Sequence, residues 1–237
     1  MRTGIIGAGE MGQCLAEKFA AKGHVVALAN SGNAKSVAPI SAKVGAKAST
    51  VHDMLLENEL VILSVPVKNI PNLPVGEFKA LPENVIVVDT GNYYPTLRDG
   101  HISALERHGI DSLWAQEQLG VSVVKAFNAI LATSLRDFAE SSGNVRRIAI
   151  PISGGSKQAK HMVNALINSI GFDTFDAGGI SDSWKHQPGS SIYCRDIPLK
   201  EMEQRAKKLE LGQILEKRKS DEALMASDYP AYLKTLL

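Results

Sequence analysis

Cysteine is scarce in this chain. Cys14 and Cys194 are the only two in 237 residues, too few to staple a unit of this size, and without a CxxC pair they give no metal signature. A reduced, cytoplasmic protein with two free thiols is the expectation. Long apolar runs are missing too: nothing approaches the roughly 18–20 apolar residues of a membrane-spanning helix. The apolar stretch that follows Met1-Arg2 is broken by Gly7, Gly9, Glu10 and Gly12, so it reads as a buried strand and not as a signal sequence. Neither charge is in excess. The 26 basic and 25 acidic residues leave a formal net charge of +1, which lacks the basic field that nucleic acid or an anionic membrane surface would need. His52, His101, His108 and His161 have no partner at ligand spacing, so no metal site is expected.

What is present has an ordinary globular balance, 44% hydrophobic and 22% charged. The first half alternates short apolar runs with helical patterns, which predicts a parallel sheet with helical crossovers. Strands are predicted at Thr3–Ala8, Val25–Asn30, Leu60–Val65, Val85–Asp89 and Ser122–Phe127. Another is predicted at Arg147–Ile152, placed at an edge because of Pro151. Met11–Ala21 reads as a helix. A second follows Ser156 as its cap, with Ala159, Met162, Val163, Leu166, Ile167 and Ile170 at helical spacing up to Gly171. Asp173–Asp176 reads as a last short strand. Beyond Ala177 come a Gly- and Ser-rich loop, a charged helix at Leu199–Lys219 and a tail, Ser220–Leu237, with a further short helix. Residues 1–180 are thus expected to form one domain. Residues 181–237 are too few and too polar for a core of their own and should pack on that domain or on a dimer partner.

Gly7-Ala8-Gly9-Glu10-Met11-Gly12 lies where the first strand hands over to the first helix. GxGxxG in that position is the dinucleotide fingerprint of a Rossmann-type, doubly wound α/β fold. The first glycine makes the turn, the second admits the pyrophosphate and the third lets helix and strand pack closely. The helix N-terminus then presents free N–H groups to the phosphates. An enzyme that uses NAD places an acid about 20 residues on, at the end of the second strand. Here Ala29-Asn30-Ser31-Gly32-Asn33-Ala34-Lys35 contains none. Small polar donors with Lys35 nearby favour NADP, with NAD the alternative; no arginine is there to clamp a 2′-phosphate.

Together these motifs resemble a known family. GIIGAGEMG, then ALANS with Lys35, Leu63-Ser64-Val65-Pro66, Val123-Val124-Lys125-Ala126-Phe127-Asn128 and the Asp173–Gly178 strand end are similar to coenzyme F-420-dependent NADP oxidoreductases. The same domain occurs in the six-transmembrane epithelial antigen metalloreductases. The resemblance spans about residues 1–180. It implies a dimeric NADPH-binding protein that passes hydride to a flavin, deazaflavin or similar acceptor. It also implies that Asn30, Ser31 and Lys35 line the 2′-phosphate, that Val65 and Pro66 lie under the adenosine ribose and pyrophosphate, and that Ala126 and Asn128 lie near the nicotinamide. Residues Ser183–Gly189 depart from the archaeal members.

In an open parallel sheet the ligand crosses the C-terminal strand ends, which brings in Thr90-Gly91-Asn92-Tyr93-Tyr94-Pro95. Asn92 is a candidate partner for the nicotinamide carboxamide, and either tyrosine for stacking on an acceptor ring. No catalytic residue is assigned. Hydride transfer to a flavin-like, quinone or metal-chelate acceptor needs alignment more than proton transfer. A carbonyl or imine substrate would need an acid, for which Lys125, Tyr93, Tyr94 and His186 are the candidates. Two other readings remain open: a pyrroline-carboxylate reductase or hydroxyacid dehydrogenase, which would want a long helical C-terminal domain, and a non-catalytic NADP-sensing protein.

Overall fold

A computed structural model describes residues 1–236. In chain order the regular elements are β1 (Arg2–Ile6), α1 (Glu10–Ala21), β2 (Val25–Ala29), α2 (Ala34–Lys43), β3 (Lys47–Ala48), α3 (Val51–Glu57) and β4 (Leu60–Leu63). Then come α4 (Val75–Lys79), β5 (Ile86–Asp89), α5 (Ser103–His108), α6 (Asp111–Leu119), β6 (Val123–Lys125) and α7 (Ala132–Asp137). The rest are β7 (Ala149–Gly154), α8 (Lys157–Ser169), β8 (Asp173–Asp176), α9 (Leu199–Ala206), α10 (Leu211–Ser227) and α11 (Tyr229–Leu236). The strands form one sheet in the order β3-β2-β1-β4-β5-β6-β7-β8. All neighbours are parallel except β6 and β7. This is the predicted Rossmann-type α/β sheet, and its strand order reverses between β1 and β4.

The continuous apolar runs are explained by helices on both faces of the sheet. Side chains alternate along each strand. Ile5, Leu60, Ile62, Val88 and Val124 go to the face covered by α1 and α8, with Leu15, Phe19, Val163 and Ile167. Ile6, Val61, Leu63, Val87 and Val123 go to the other face, against Met54 of α3, Phe78 of α4, and Trp114 and Leu119 of α6. The cap predicted at Ser156 is made: its hydroxyl accepts from the Ala159 N–H at 3.1 Å.

Two expectations are corrected. Pro151 does not lie in an edge strand: β7 is flanked by β6 and β8, and β8 is the edge. The proline is tolerated because strand N–H groups point alternately to either side. The Ala149 N–H donates to Ile197 O at 3.0 Å on the side away from β8, and Pro151 faces that same side, where β6 reaches only Ser153 and Gly154. The helix expected over Leu199–Lys219 is two helices. Leu209 packs with Ile192, Ile197 and Met202, and Glu210 is extended at φ −129° and ψ 128° before α10 begins. This tertiary contact overrides a run of good helix formers.

The chain beyond β8 packs on the sheet unit. Tyr193, Cys194, Met225, Tyr232 and Leu236 form an apolar cluster with Ala129 and Leu131. The last residue of the tail, Leu237, lies outside the described residues.

Candidate dinucleotide site

At the end of β1, Gly7 adopts φ +119° and donates its N–H to Ala29 O at 2.8 Å. A Cβ on Gly7 would run into the Ser64 carbonyl oxygen, and one on Gly12 into the Gly7 carbonyl oxygen. Both positions therefore require glycine, whereas the space beside Gly9 is open. Gly9 is the N-cap of α1 and supplies no side-chain bond, so the first-turn N–H groups remain available to an anion. Gln13 braces the turn, donating from Nε2 to Ala8 O at 2.8 Å.

A cleft of about 400 Å³ runs from this loop along the strand ends. Gly9, Glu10 and Met11 line it, as do Ser64, Val65 and Pro66 after β4, Thr90, Gly91 and Asn92 after β5, and Phe127 and Asn128 after β6. Predicted site residues from four loops thus share one cavity. Gly7, Ala8 and Gly12 support it without lining it, and Ala126 is fully buried in the core. The chain turns at Phe127, with φ 61°, which brings Asn128 out to the cleft. Asn30, Ser31 and Lys35 stand apart at the end of β2. There Asn30 Oδ1 accepts from the Gly32 N–H at 2.9 Å and from Ser36 Oγ at 3.1 Å. Asn33 caps α2 through the Ser36 N–H, and Ser31 and Lys35 are exposed. No carboxylate lies in this segment.

In the remaining wall Tyr94 is expected from the sequence, Arg98 and Ile130–Ala132 continue the loops after β5 and β6, and only Tyr193 and Cys194 come from elsewhere. Tyr94, Arg98, Ile130–Ala132, Tyr193 and Cys194 complete the cleft. Tyr193 and Cys194 come from the extension, about a hundred residues after the β5 loop, and nothing local in the sequence signals them.

The polar floor has a fixed hydrogen-bond direction. Asn128 Nδ2 donates to Asn92 Oδ1 at 3.0 Å and to His186 O at 2.7 Å. Asn128 Oδ1 must therefore accept from His186 Nδ1, 2.8 Å away, which leaves His186 Nε2 to accept from Ser153 Oγ at 2.7 Å. Burial, followed by the nearby Lys125 charge, holds the His186 pKa well below its usual range, so the ring is neutral. Asn92 Nδ2 donates to Asn128 O at 2.8 Å and to the Tyr193 hydroxyl at 3.3 Å. Its donors are spent, so toward a carboxamide Asn92 offers only an acceptor. The Tyr193 hydroxyl in turn bonds that of Tyr94.

Behind the β5 loop lies a buried ionic cluster. Asp89 accepts from the Gly91 N–H at 2.8 Å and the Ser112 hydroxyl at 2.6 Å. Lys125 Nζ, fully buried, donates to Ser112 Oγ at 2.7 Å and Gly91 O at 3.2 Å. Burial lowers the Lys125 pKa while Asp111 and Asp89 oppose that shift. Asp111 accepts from the Tyr93 N–H at 3.0 Å and pairs with Arg218 of α10 at 2.8 Å. Arg218 also donates to Tyr93 O.

Of the four candidate acids, only Tyr94 lines the cleft. Its pKa is raised, first by burial. The Tyr93 hydroxyl points away, donating to Glu106 at 2.7 Å, while Lys125 and His186 are walled in. Burial also pushes the Cys194 thiol up to about 12, which leaves it a poor nucleophile. Among the described residues no group of three or more His, Cys, Asp or Glu is placed to hold a metal, and no helix is long and apolar enough to cross a membrane.

Residues 2–93 match the family model described as NADP oxidoreductase coenzyme F420-dependent. The match runs from β1 through the phosphate loop to Tyr93, and it is the family that the motifs resemble. The Sinorhizobium meliloti protein SMa0349 has a similar structure, with a TM-score of 0.68 and 28% identity over 82% of this chain and 93% of that one. An Arthrobacter sp. protein, provisionally described as an F420-dependent NADP-reductase, aligns with a TM-score of 0.60 and 21% identity over 76% and 86% of the two chains. A curated Escherichia coli protein, YjhV, is 35% identical over 54 residues, which is 23% of this chain and 39% of its own length. The framework is that of an NAD(P)-dependent oxidoreductase.

Proposed function

We propose that the chain is an NADPH-dependent reductase that passes hydride to a planar acceptor of flavin, deazaflavin, quinone or metal-chelate type. One observation carries the reading. A single cleft joins the phosphate loop to Asn92, Asn128, Tyr94 and Tyr193, and burial holds both phenols far from neutral titration. Such a site can align a nicotinamide against a flat ring, but it is poorly equipped to protonate a carbonyl or imine. For a flavin the balance is NADPH plus a proton from water plus oxidised flavin, giving NADP⁺ and reduced flavin.

In this reading Gly7, Ala8, Gly9, Glu10, Met11 and Gly12 hold the pyrophosphate at the α1 N-terminus. Val65 and Pro66 support the ribose, and Asn30, Ser31 and Lys35 receive the 2′-phosphate. Asn92 and Asn128 border the nicotinamide, with Ala126 packing behind them. The assembly implied is a cytoplasmic homodimer.

The test is twofold. Titration of NADPH and NADH, followed by their own fluorescence, is expected to favour NADPH; equal affinity refutes the cofactor assignment. Anaerobic turnover with flavins, a deazaflavin, quinones and ferric chelates is expected to give NADPH oxidation with at least one class. If the protein binds NADPH tightly yet turns over none of them, it is a sensor.

A further inference from the structure

Arg98 is the only cationic side chain lining the cleft among the described residues, and it is held in one orientation. Its guanidinium lies 5.3 Å from the centroid of the Tyr94 ring. Nε and Nη2 donate to the two oxygens of Asp99 at 3.1 and 2.9 Å, and Nη2 donates to Asn92 O at 2.5 Å. Asp99 in turn is fixed: its side chain is fully buried, and it also accepts the Tyr94 N–H at 2.9 Å and the Lys68 N–H at 3.4 Å. One edge of the guanidinium is therefore spent. Nη1, with two N–H groups, has no hydrogen-bond partner among the described residues, although the Arg98 side chain is 37% exposed.

Here the carboxylate is sealed and the cation faces solvent, so the pair works as a mount. An arginine already locked in place gives up little side-chain freedom when it binds an oxyanion. The cofactor's pyrophosphate already has a receptor at the α1 N-terminus. Arg98 instead bonds the Asn92 carbonyl after β5 and lies on the ring of Tyr94, whose hydroxyl bonds that of Tyr193.

We propose that Arg98 is a specificity-determining residue that docks an anionic group, phosphate or carboxylate, carried by the electron acceptor. The inference rests on the reductase reading above and narrows its substrate class to anionic ring acceptors.

FMN and riboflavin differ by one phosphate, so they isolate the contact. Binding of each to the NADP⁺-loaded protein is measured by quenching of flavin fluorescence. The wild type is expected to hold FMN about tenfold or more tighter than riboflavin, the size of one charge-assisted contact. Arg98→Met is expected to bring FMN to within about twofold of riboflavin, with NADPH affinity unchanged. Because that variant strands the buried Asp99, the double substitution Arg98→Met with Asp99→Asn is measured beside it; the amide that replaces the carboxylate keeps an acceptor oxygen for the Tyr94 N–H. Equal affinity for the two flavins in the wild type, including no binding of either, overturns the assignment. So does a parallel loss of NADPH affinity, which would give Arg98 to the cofactor. Turnover is scored separately: tight, Arg98-dependent FMN binding without NADPH oxidation would sink the reductase reading and leave the anion contact standing.

Discussion

Arg218→Met tests how the extension is coupled to the cleft. Arg218 and Asp111 are 7% and 1% exposed at the side chain, and Nη1 lies 2.8 Å from Oδ1. A second bond, Nη2 to Oδ2, measures 3.2 Å, and the guanidinium lies 5.3 Å from the Tyr93 ring centroid. Methionine fills much of the volume but leaves Asp111 charged, buried and held only by the Tyr93 N–H. Removing one member of such a pair costs about 3–5 kcal/mol. In a chain of this size each kcal/mol lowers Tm by about 2–4 °C, so a drop of roughly 6–20 °C is expected. Asp111→Asn in the same chain removes the stranded charge and keeps an oxygen for the Tyr93 N–H, and it should recover at least about 2 kcal/mol. Urea unfolding of the wild type, both single variants and the double variant supplies the cycle. A loss below about 1 kcal/mol, or strict additivity of the four corners, refutes the pair as a buried tie. NADPH affinity of Arg218→Met, measured well below its Tm, should also weaken, because the Tyr93 carbonyl and the neighbouring loop lose their anchor.

Three other outcomes follow from the geometry. Gly12→Ala sets a methyl against the Gly7 carbonyl oxygen; stability should fall by about 1–3 kcal/mol and NADPH affinity by more than tenfold, and retention of both would contradict the close packing of α1 on β1. Asn30→Asp places a carboxylate where β2 ends and should reverse the preference from NADPH toward NADH; unchanged ratios in a fluorescence titration would detach this segment from the 2′-phosphate. His186 stays neutral when folded, with a pKa well below the usual 6.5. The unfolded chain therefore binds the extra proton, and stability is lost as pH falls through and below about 6.5, by up to about 1.4 kcal/mol per pH unit. Urea midpoints between pH 5 and 8 should show a shallower slope for His186→Gln, and parallel slopes would refute this.

Much of the fold was legible because its signals are local. Val61, Ile62, Val87 and Val88 sit in unbroken apolar runs, and only a strand covered on both faces accounts for such runs at this length. β3 was not legible: Lys47 and Ala48 pair with β2 without any run of their own. The break between α9 and α10 escaped for the opposite reason. Its residues favour helix, and only the packing of Leu209 on a cluster shared by the extension and Ala149 of β7 diverts them. The site divides in the same way. Val65, Pro66, Asn92 and Asn128 follow strand ends, where topology alone places a ligand. Ala126 falls one residue short of the turn at Phe127 and faces inward. Arg98 follows β5 in the same loop and is held by its neighbours Asn92, Tyr94 and Asp99, whereas Tyr193 and Cys194 reach the cleft only through long-range packing.

Tyr193, from the loop between β8 and α9, makes the cleft a joint product of two distant parts of the chain. The phosphate loop and the β4 and β5 loops as far as Tyr93 fall within residues 2–93, the stretch that matches the family model. One wall of the cleft, with Tyr193 and Cys194, is built from chain that lies outside that match. Substitutions after β8 can thus reshape that wall without touching Gly7–Gly12. Under the reductase reading proposed above, a change of acceptor would be recorded at Arg98 and at the cleft-lining residues beyond position 180, while the phosphate loop stays the same.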